Sequence, residues 1–87
     1  MFYYTYVLQS NKDDKLYVGW TSDIRKRVAE HNLGLVQSTK SRRPLKLLFY
    51  EAFQNKKDAV LREKFLKTGW GRRHLKIALK YTLGGYN

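Results

Sequence analysis

Two runs of aromatic and β-branched residues, separated by five polar residues, constrain the fold of this chain more than any other feature. The runs cover residues 3–9 (YYTYVLQ) and 15–20 (KLYVGW), and their composition favours β-strands. The intervening residues 10–14 (SNKDD) are of the types common in turns. Two strand-like runs around a short polar turn predict a β-hairpin.

A capped helix is predicted directly after the hairpin. The stretch TSD before Ile24 supplies N-cap residues, so residues 24–32 predict a helix, and Gly34 is its expected stop. Residues 35–44, which end in STKSRRP, predict a basic loop. The chain therefore passes from strand to helix to loop within about thirty residues.

The second half of the chain predicts one more strand and two more helices. The strand covers residues 45–53, and the next helix covers residues 56–68, capped by Asn55 and ended by Gly69. A short last helix over residues 71–83 is expected before a frayed tail that begins at Gly84 and Gly85. The order is ββαβαα. No repeat, linker or low-complexity segment interrupts it, so residues 1–87 predict a single domain.

The net charge favours a polyanionic partner. The chain has 18 lysines and arginines against 7 acidic residues, a net charge of +11, and the cations are spread along its length. Nucleic acid is the expected partner, while an acidic membrane surface and a merely basic soluble domain remain alternatives.

The chain has no cysteine, which excludes disulfides and thiolate metal sites. It also has no apolar run near 20 residues and no signal-peptide pattern, so a cytoplasmic protein without a membrane partner is expected.

The first predicted helix places two functional residue types beside its apolar face. Ile24 and Val28 define that face on a helical wheel, and Arg27 and His31 flank it. Both side chains are expected at the border of the buried face rather than in solvent. The alternative is that they only cover apolar surface with their aliphatic or ring parts.

The second predicted helix carries a carboxylate on its apolar arc. Ala59, Val60 and Leu66 define the arc, and Glu63 falls within it with Lys67 one turn later. A carboxylate near the core is costly unless it is paired or binds a metal. A Glu63–Lys67 ion pair and a divalent cation such as Mg²⁺ are both compatible with this pattern.

Tyrosines and basic clusters supply the remaining candidates. Antiparallel pairing of the hairpin strands would bring Tyr6 and Tyr17 near one another. Two basic clusters lack the apolar spacing of a core element, so they face solvent or phosphate. They comprise Lys40, Arg42 and Arg43 in the loop and Arg72, Arg73, His74 and Lys76 in the last helix.

In order along the chain, these elements resemble the GIY-YIG nuclease domain. The matching positions are Tyr4-Thr5-Tyr6, Tyr17-Val18-Gly19, Arg27, His31 and Glu63. The resemblance covers about residues 3–80. It is close to the small stand-alone bacterial type, which is related to the N-terminal nuclease domain of a bacterial excision-repair enzyme. Tyr4-Thr5 replaces the Gly-Ile of the family name. The resemblance implies an α/β fold of the α+β type, a small three-stranded antiparallel sheet flanked by helices.

The resemblance further implies a divalent-metal-dependent endonuclease with one Mg²⁺ or Mn²⁺. The expected substrate is DNA, with RNA as the open alternative, and the expected role is in DNA repair. Tyr6, Tyr17, Arg27 and His31 match the catalytic positions and Glu63 the metal-binding glutamate. Arg27 would grip the phosphate, and Tyr6 would activate water if nearby cations lower its pKa. Tyr17 and His31 would orient water and relay protons.

Three further expectations concern binding and assembly. The residues expected to contact nucleic acid are Arg25, Lys40, Arg42, Arg43, Lys67, Arg72 and Arg73. A nucleic-acid-binding module with the same fold but little catalysis is the main alternative to an enzyme. An accessory protein that needs a protein partner is another, and the oligomeric state stays open.

Overall fold

The computed structural model describes residues 1–84 and has the element order ββαβαα. The strands are β1 (Tyr3–Ser10), β2 (Leu16–Thr21) and β3 (Leu45–Phe53). The helices are α1 (Ile24–Asn32), α2 (Lys56–Leu66) and α3 (Gly69–Ala78), and a 3₁₀ turn covers Lys40–Arg42. The expected fold class and order are confirmed.

The sheet is antiparallel with strand order β2-β1-β3, so β1 lies at its centre. The predicted hairpin is present, with Tyr6 opposite Gly19 on β2 and opposite Tyr50 on β3. Between Val7 and Leu8 the pairing with β3 shifts. Since β2 is an edge strand, no other strand of the sheet pairs with its outer edge, and helix side chains can lie beside it.

Two apolar clusters attach the helices to opposite faces of the sheet. Alternate residues of a strand point to opposite faces. Leu8 packs in a cluster with Ile24 and Val28, which are α1 residues. Val7 packs in a second cluster with Leu66 of α2 and Leu75 of α3. The helices α1 and α2 can therefore approach a common point only around an edge of the sheet.

Local capping explains where the first two helices begin. The Asp23 side chain accepts a hydrogen bond from the Lys26 amide at the start of α1, and the Asn55 side chain accepts one from the Lys57 amide at the start of α2. Gly34 has φ +80°, a left-handed conformation that ends the α1 region and favours glycine.

The boundary between α2 and α3 differs from the prediction. The second helix ends at Leu66 rather than residue 68, and Gly69 begins α3 instead of stopping α2. The reason is that Thr68 acts as the N-cap of α3, where its hydroxyl accepts a hydrogen bond from the Gly71 amide. The last helix ends at Ala78, short of residue 83. Gly84 lies in a turn after it, and the tail expected from Gly85 onward lies outside the described residues.

Among residues 1–84, no helix is both long and apolar enough to cross a membrane.

Candidate active site

Five side chains that the sequence singles out line one cavity of about 240 Å³ beside β2: Tyr6, Tyr17, Arg27, His31 and Glu63. The helix α1 supplies two of them from one face of the sheet. The helix α2 supplies the carboxylate from the other. The cavity thus lies beside the edge strand β2, where side chains from both helices line it.

The tyrosines owe their positions to the register of the hairpin. Tyr6 lies opposite Gly19, and Tyr17 lies two residues from Gly19 along β2, so both tyrosines share one face. A Cβ atom at Gly19 would lie only 2.5 Å from the Tyr6 Oη atom. A side chain at that position would displace the Tyr6 ring, which explains the glycine opposite it.

His31 links Tyr6 to the loop that follows α1. The Tyr6 Oη atom lies 2.9 Å from His31 Nε2, and His31 Nδ1 lies 2.7 Å from Thr39 Oγ1. His31 is only 4% exposed, so it is buried rather than at the border that the helical wheel predicts. The cause is the loop, because it folds back over α1 and places Thr39 against the ring.

A second pair of hydrogen bonds holds this loop closed. The Asn32 side chain donates to the Leu45 carbonyl and accepts from the Leu45 amide, both at 2.8 Å. These bonds join the last residue of α1 to the first residue of β3. The loop between them is thereby fixed, and its buried Thr39 stays within reach of His31.

Burial and charge set the protonation of the Tyr6–His31 pair. Burial, followed by the nearby Arg27 charge, lowers the pKa of His31, so the imidazole is neutral near pH 7. Burial raises the pKa of Tyr6, and the opposing effect of Arg27 does not outweigh it. The expectation that neighbouring cations lower the pKa of Tyr6 is therefore wrong for the protein alone. Both groups are neutral and hydrogen-bonded to each other.

Arg27 lies between the cavity and the outer surface of α1. Its Nη1 atom donates to Glu30 Oε1 at 3.2 Å, and its side chain is 39% exposed. Interaction with the Tyr6 hydroxyl is the main cause that raises the pKa of Arg27. A guanidinium that is held at a small cavity and still reachable from solvent can bind an incoming phosphate in a bidentate manner.

Glu63 lines the cavity and forms an ion pair with Lys67, which the sequence pattern allows as the alternative to a bound metal ion. Its Oε2 atom lies 3.2 Å from Lys67 Nζ, and its side chain is 17% exposed. Within residues 1–84, no group of three or more histidine, aspartate or glutamate side chains is placed to hold a metal ion. A single carboxylate suits Mg²⁺, which keeps several waters and completes its coordination with substrate phosphate. The donor set fits one hydrated ion.

The predicted nucleic-acid contacts do not form one surface. Lys67 and Arg72 line a groove that adjoins the cavity and shares Tyr17 with it. Lys15 and Lys76 line the same groove, and sequence reasoning did not single out Lys15. The position of this groove makes it the strongest candidate for a phosphate-binding surface.

The other predicted cations lie elsewhere. Arg25 lines a separate hollow with Ile24 and Leu47, whereas Lys40 and Arg43 line another hollow with Lys12. Arg42 forms a 3.2 Å ion pair with Asp13, and the Arg73 guanidinium lies 5.2 Å from the centroid of the Trp70 ring.

Sequence reasoning missed Thr39 and Trp20, which also line the cavity. Thr39 is 1% exposed, although it lies in a stretch that the sequence predicts as a basic loop. No periodic pattern marks a polar loop residue that becomes buried only when the loop folds back. Trp20 could have been noticed as a large aromatic at the end of the second strand.

Comparison with known proteins shows the family and the fold to which the chain is similar. The model of the GIY-YIG catalytic domain family matches residues 2–76. The chain is 38% identical over 76 residues to a UPF0213 protein of Staphylococcus haemolyticus, covering 86% of this chain and 92% of that protein. It is 43% identical over 65 residues to a UPF0213 protein of Clostridium perfringens, covering 74% and 69% of the two chains. The solution NMR structure of the UPF0213 protein BH0048 from Bacillus halodurans superposes with a TM-score of 0.56 at 29% identity, over 92% of this chain and 86% of that one.

Proposed function

The chain belongs to the GIY-YIG catalytic domain family, and from that membership we propose that it is a divalent-metal-dependent endonuclease that hydrolyses phosphodiester bonds in DNA. The observation that carries the proposal is the convergence of Tyr6, His31, Arg27 and Glu63 on one small cavity. A pure binding surface does not require a buried tyrosine–histidine pair beside an arginine and a carboxylate. We further propose that the protein acts in the cytoplasm, in DNA repair.

The Tyr6–His31 pair supplies the base. Because the pKa of Tyr6 is raised, the phenol does not act as a preformed phenolate. Instead, the Tyr6 hydroxyl donates its proton to His31 Nε2, at 2.9 Å, while its oxygen takes a proton from the attacking water. His31 can accept at Nε2 when its Nδ1–H donates to Thr39. Tyr17, on the same wall, would orient the water.

Arg27 binds and stabilises the phosphate. Its planar guanidinium can donate two parallel hydrogen bonds to the equatorial oxygens as negative charge develops there. Glu30 pairs with one end of the guanidinium, at 3.2 Å, and thereby orients it. Lys67, which lines both the cavity and the adjoining groove, would contact an adjacent phosphate of the same strand.

Glu63 would hold one Mg²⁺ or Mn²⁺ together with water and a phosphate oxygen. The ion when bound supplies positive charge at the phosphate and lowers the pKa of coordinated water. The Lys67 ammonium, 3.2 Å from Glu63 in the structure, would leave the carboxylate and become available to the substrate.

A second candidate function is a nucleic-acid-binding module with little catalysis of its own. The observation that favours it is the same Glu63–Lys67 ion pair, because an ammonium already neutralises the carboxylate that a metal needs. The two candidates differ in whether Glu63 matters for turnover or only for local charge balance.

The deciding experiment compares wild type, Glu63→Gln and Glu51→Gln. Glu51 is the matched control because it pairs with Arg62, at 2.7 Å, and does not line the cavity. Each protein is incubated with labelled single-stranded, duplex, flap and branched DNA and with the RNA counterparts, in Mg²⁺, Mn²⁺ or EDTA.

The proposal expects metal-dependent cleavage of DNA by wild type and by Glu51→Gln. It expects none by Glu63→Gln, whose affinity for the substrate stays within a few-fold of wild type. Binding without cleavage by wild type on every substrate would favour the binding module. Cleavage that persists in Glu63→Gln would refute the metal assignment, and preferential cleavage of RNA would refute the choice of DNA.

A further inference from the structure

A second cavity adjoins the active site and shares no lining residue with the groove that Lys15, Lys67, Arg72 and Lys76 line, which we call the basic groove. Its volume is about 430 Å³, and it shares Trp20 and Arg27 with the catalytic cavity. Thr21, the last residue of β2, and Ser22 form part of its lining. We call this second cavity the Trp20 cleft.

The charges on the two sides of the active site differ. In the described part of the chain, the side chains that line the basic groove include four cations and no carboxylate: Lys15, Lys67, Arg72 and Lys76. The Trp20 cleft has Asp23 and Glu30 beside Lys26 and Arg27. A phosphate backbone is attracted to the groove, while the mixed charges of the cleft give a backbone no comparable attraction.

Trp20 is a large aromatic side chain that the core does not account for. Among residues 1–84, it belongs to neither of the two buried apolar clusters. It is only partly buried, and Lys56 Nζ lies 5.1 Å from the centroid of its ring. A ring with an ammonium above it, at the wall of two cavities, provides both a stacking surface and a nearby positive charge for one nucleotide.

Resting on the proposed nuclease function, we propose that Trp20 is a stacking platform for the base of the nucleotide next to the cleaved phosphate. Arg27 marks the phosphate position because it lines both cavities. The backbone on one side of that phosphate follows the basic groove. The nucleotide on the other side turns its base into the Trp20 cleft, so the ligand is an unpaired nucleotide of a single-stranded segment.

The chain allows a direct optical test. It has two tryptophans, and the second, Trp70, is 72% exposed, so Trp70→Phe leaves Trp20 as the sole indole reporter without disturbing the core. In EDTA, this variant is titrated with a thymidine strand of about ten nucleotides and with an abasic-spacer strand of the same length. The two strands carry the same phosphates and differ only in the bases.

The proposal expects the thymidine strand to quench Trp20 emission and to bind about 5- to 100-fold more tightly than the abasic strand. Trp20→Leu should remove that preference, so that the thymidine strand binds no more tightly than the abasic strand. Trp20→Phe, which keeps an aromatic ring, should retain part of the preference. Circular dichroism of each variant checks the fold. The emission measurement does not depend on the folding of the Trp20 variants, because the Trp70→Phe protein keeps Trp20 itself.

Two results would overturn the proposal in distinguishable ways. If both strands bind with equal affinity and Trp20 emission is unchanged, stacking is refuted while DNA binding and the nuclease proposal stand. If neither strand binds, the single-stranded ligand is refuted, and cleavage of the other substrates then decides the nuclease proposal separately.

Discussion

Replacing Thr39 with valine tests whether the buried hydrogen-bond chain Tyr6–His31–Thr39 is part of the folded structure. Thr39 is 1% exposed, and its Oγ1 atom lies 2.7 Å from His31 Nδ1. Valine has nearly the same shape as threonine, so the substitution removes the hydroxyl without opening a large cavity. His31, itself 4% exposed, is then left with a buried nitrogen that has lost its partner.

The expected cost follows from that unpaired nitrogen. A buried polar group left without its hydrogen bond costs about 1–3 kcal/mol. We therefore expect the free energy of unfolding of Thr39→Val to fall by about that amount. For a domain of this size, each kcal/mol corresponds to a shift in Tm of about 4–8 °C.

Urea unfolding followed by circular dichroism measures the loss, and a double-mutant cycle with His31→Gln assigns it. The cycle should give a coupling free energy of about 0.5–3 kcal/mol between positions 39 and 31. Thr39→Ser, which keeps the hydroxyl, is the control and should retain the coupling. A Thr39→Val protein as stable as wild type, or a coupling near zero, would refute the claim that this hydrogen bond holds the imidazole.

Other predictions concern catalysis, pH and salt. Arg27→Ala should lower the cleavage rate at saturating substrate by about 10²–10³-fold, as loss of a charge stabiliser does. Arg25→Ala, in the same helix but outside the cavity, should leave that rate near wild type. Because folding lowers the pKa of His31 from 6.5, His31 binds a proton more tightly in the unfolded chain than in the folded protein. The free energy of unfolding should fall as the pH drops below about 6.5, and less so in His31→Gln. Arg72→Gln should flatten the slope of log affinity against log salt by about 0.7–0.9. Arg42→Gln should change that slope less, because Arg42 is already paired with Asp13. Fluorescence anisotropy measures both slopes.

The helix starts were predictable because capping is local. Asp23 and Asn55 each accept a hydrogen bond from an amide within three residues, so the sequence contains the whole interaction. The end of α2 was not predictable in the same way. Thr68 and Gly69 are compatible with both a helix stop and a helix start, and the hydrogen bond from the Gly71 amide to Thr68 decides for a start.

The residues of the candidate site were predictable from the sequence, but their burial and protonation were not. Helical spacing singled out Arg27, His31 and Glu63, and pairing in the predicted hairpin singled out Tyr6 and Tyr17. These five side chains line the cavity. The protonation of the site depends on burial, which the motif does not contain. Burial raises the pKa of Tyr6 against the influence of Arg27, the reverse of what the charged sequence suggests.

The sequence by itself determined the order of strands and helices, since strand composition, turn residues and N-caps act over a few neighbouring positions. Only the tertiary structure decided which groups meet. Strand order β2-β1-β3 leaves β2 at an edge, and this lets α1 and α2 bring Arg27 and Glu63 together from opposite faces. The closure of the loop after α1 buries Thr39 against His31. These contacts join residues at least eight positions apart along the chain. Their energy depends on packing and desolvation that exist only once the chain has folded.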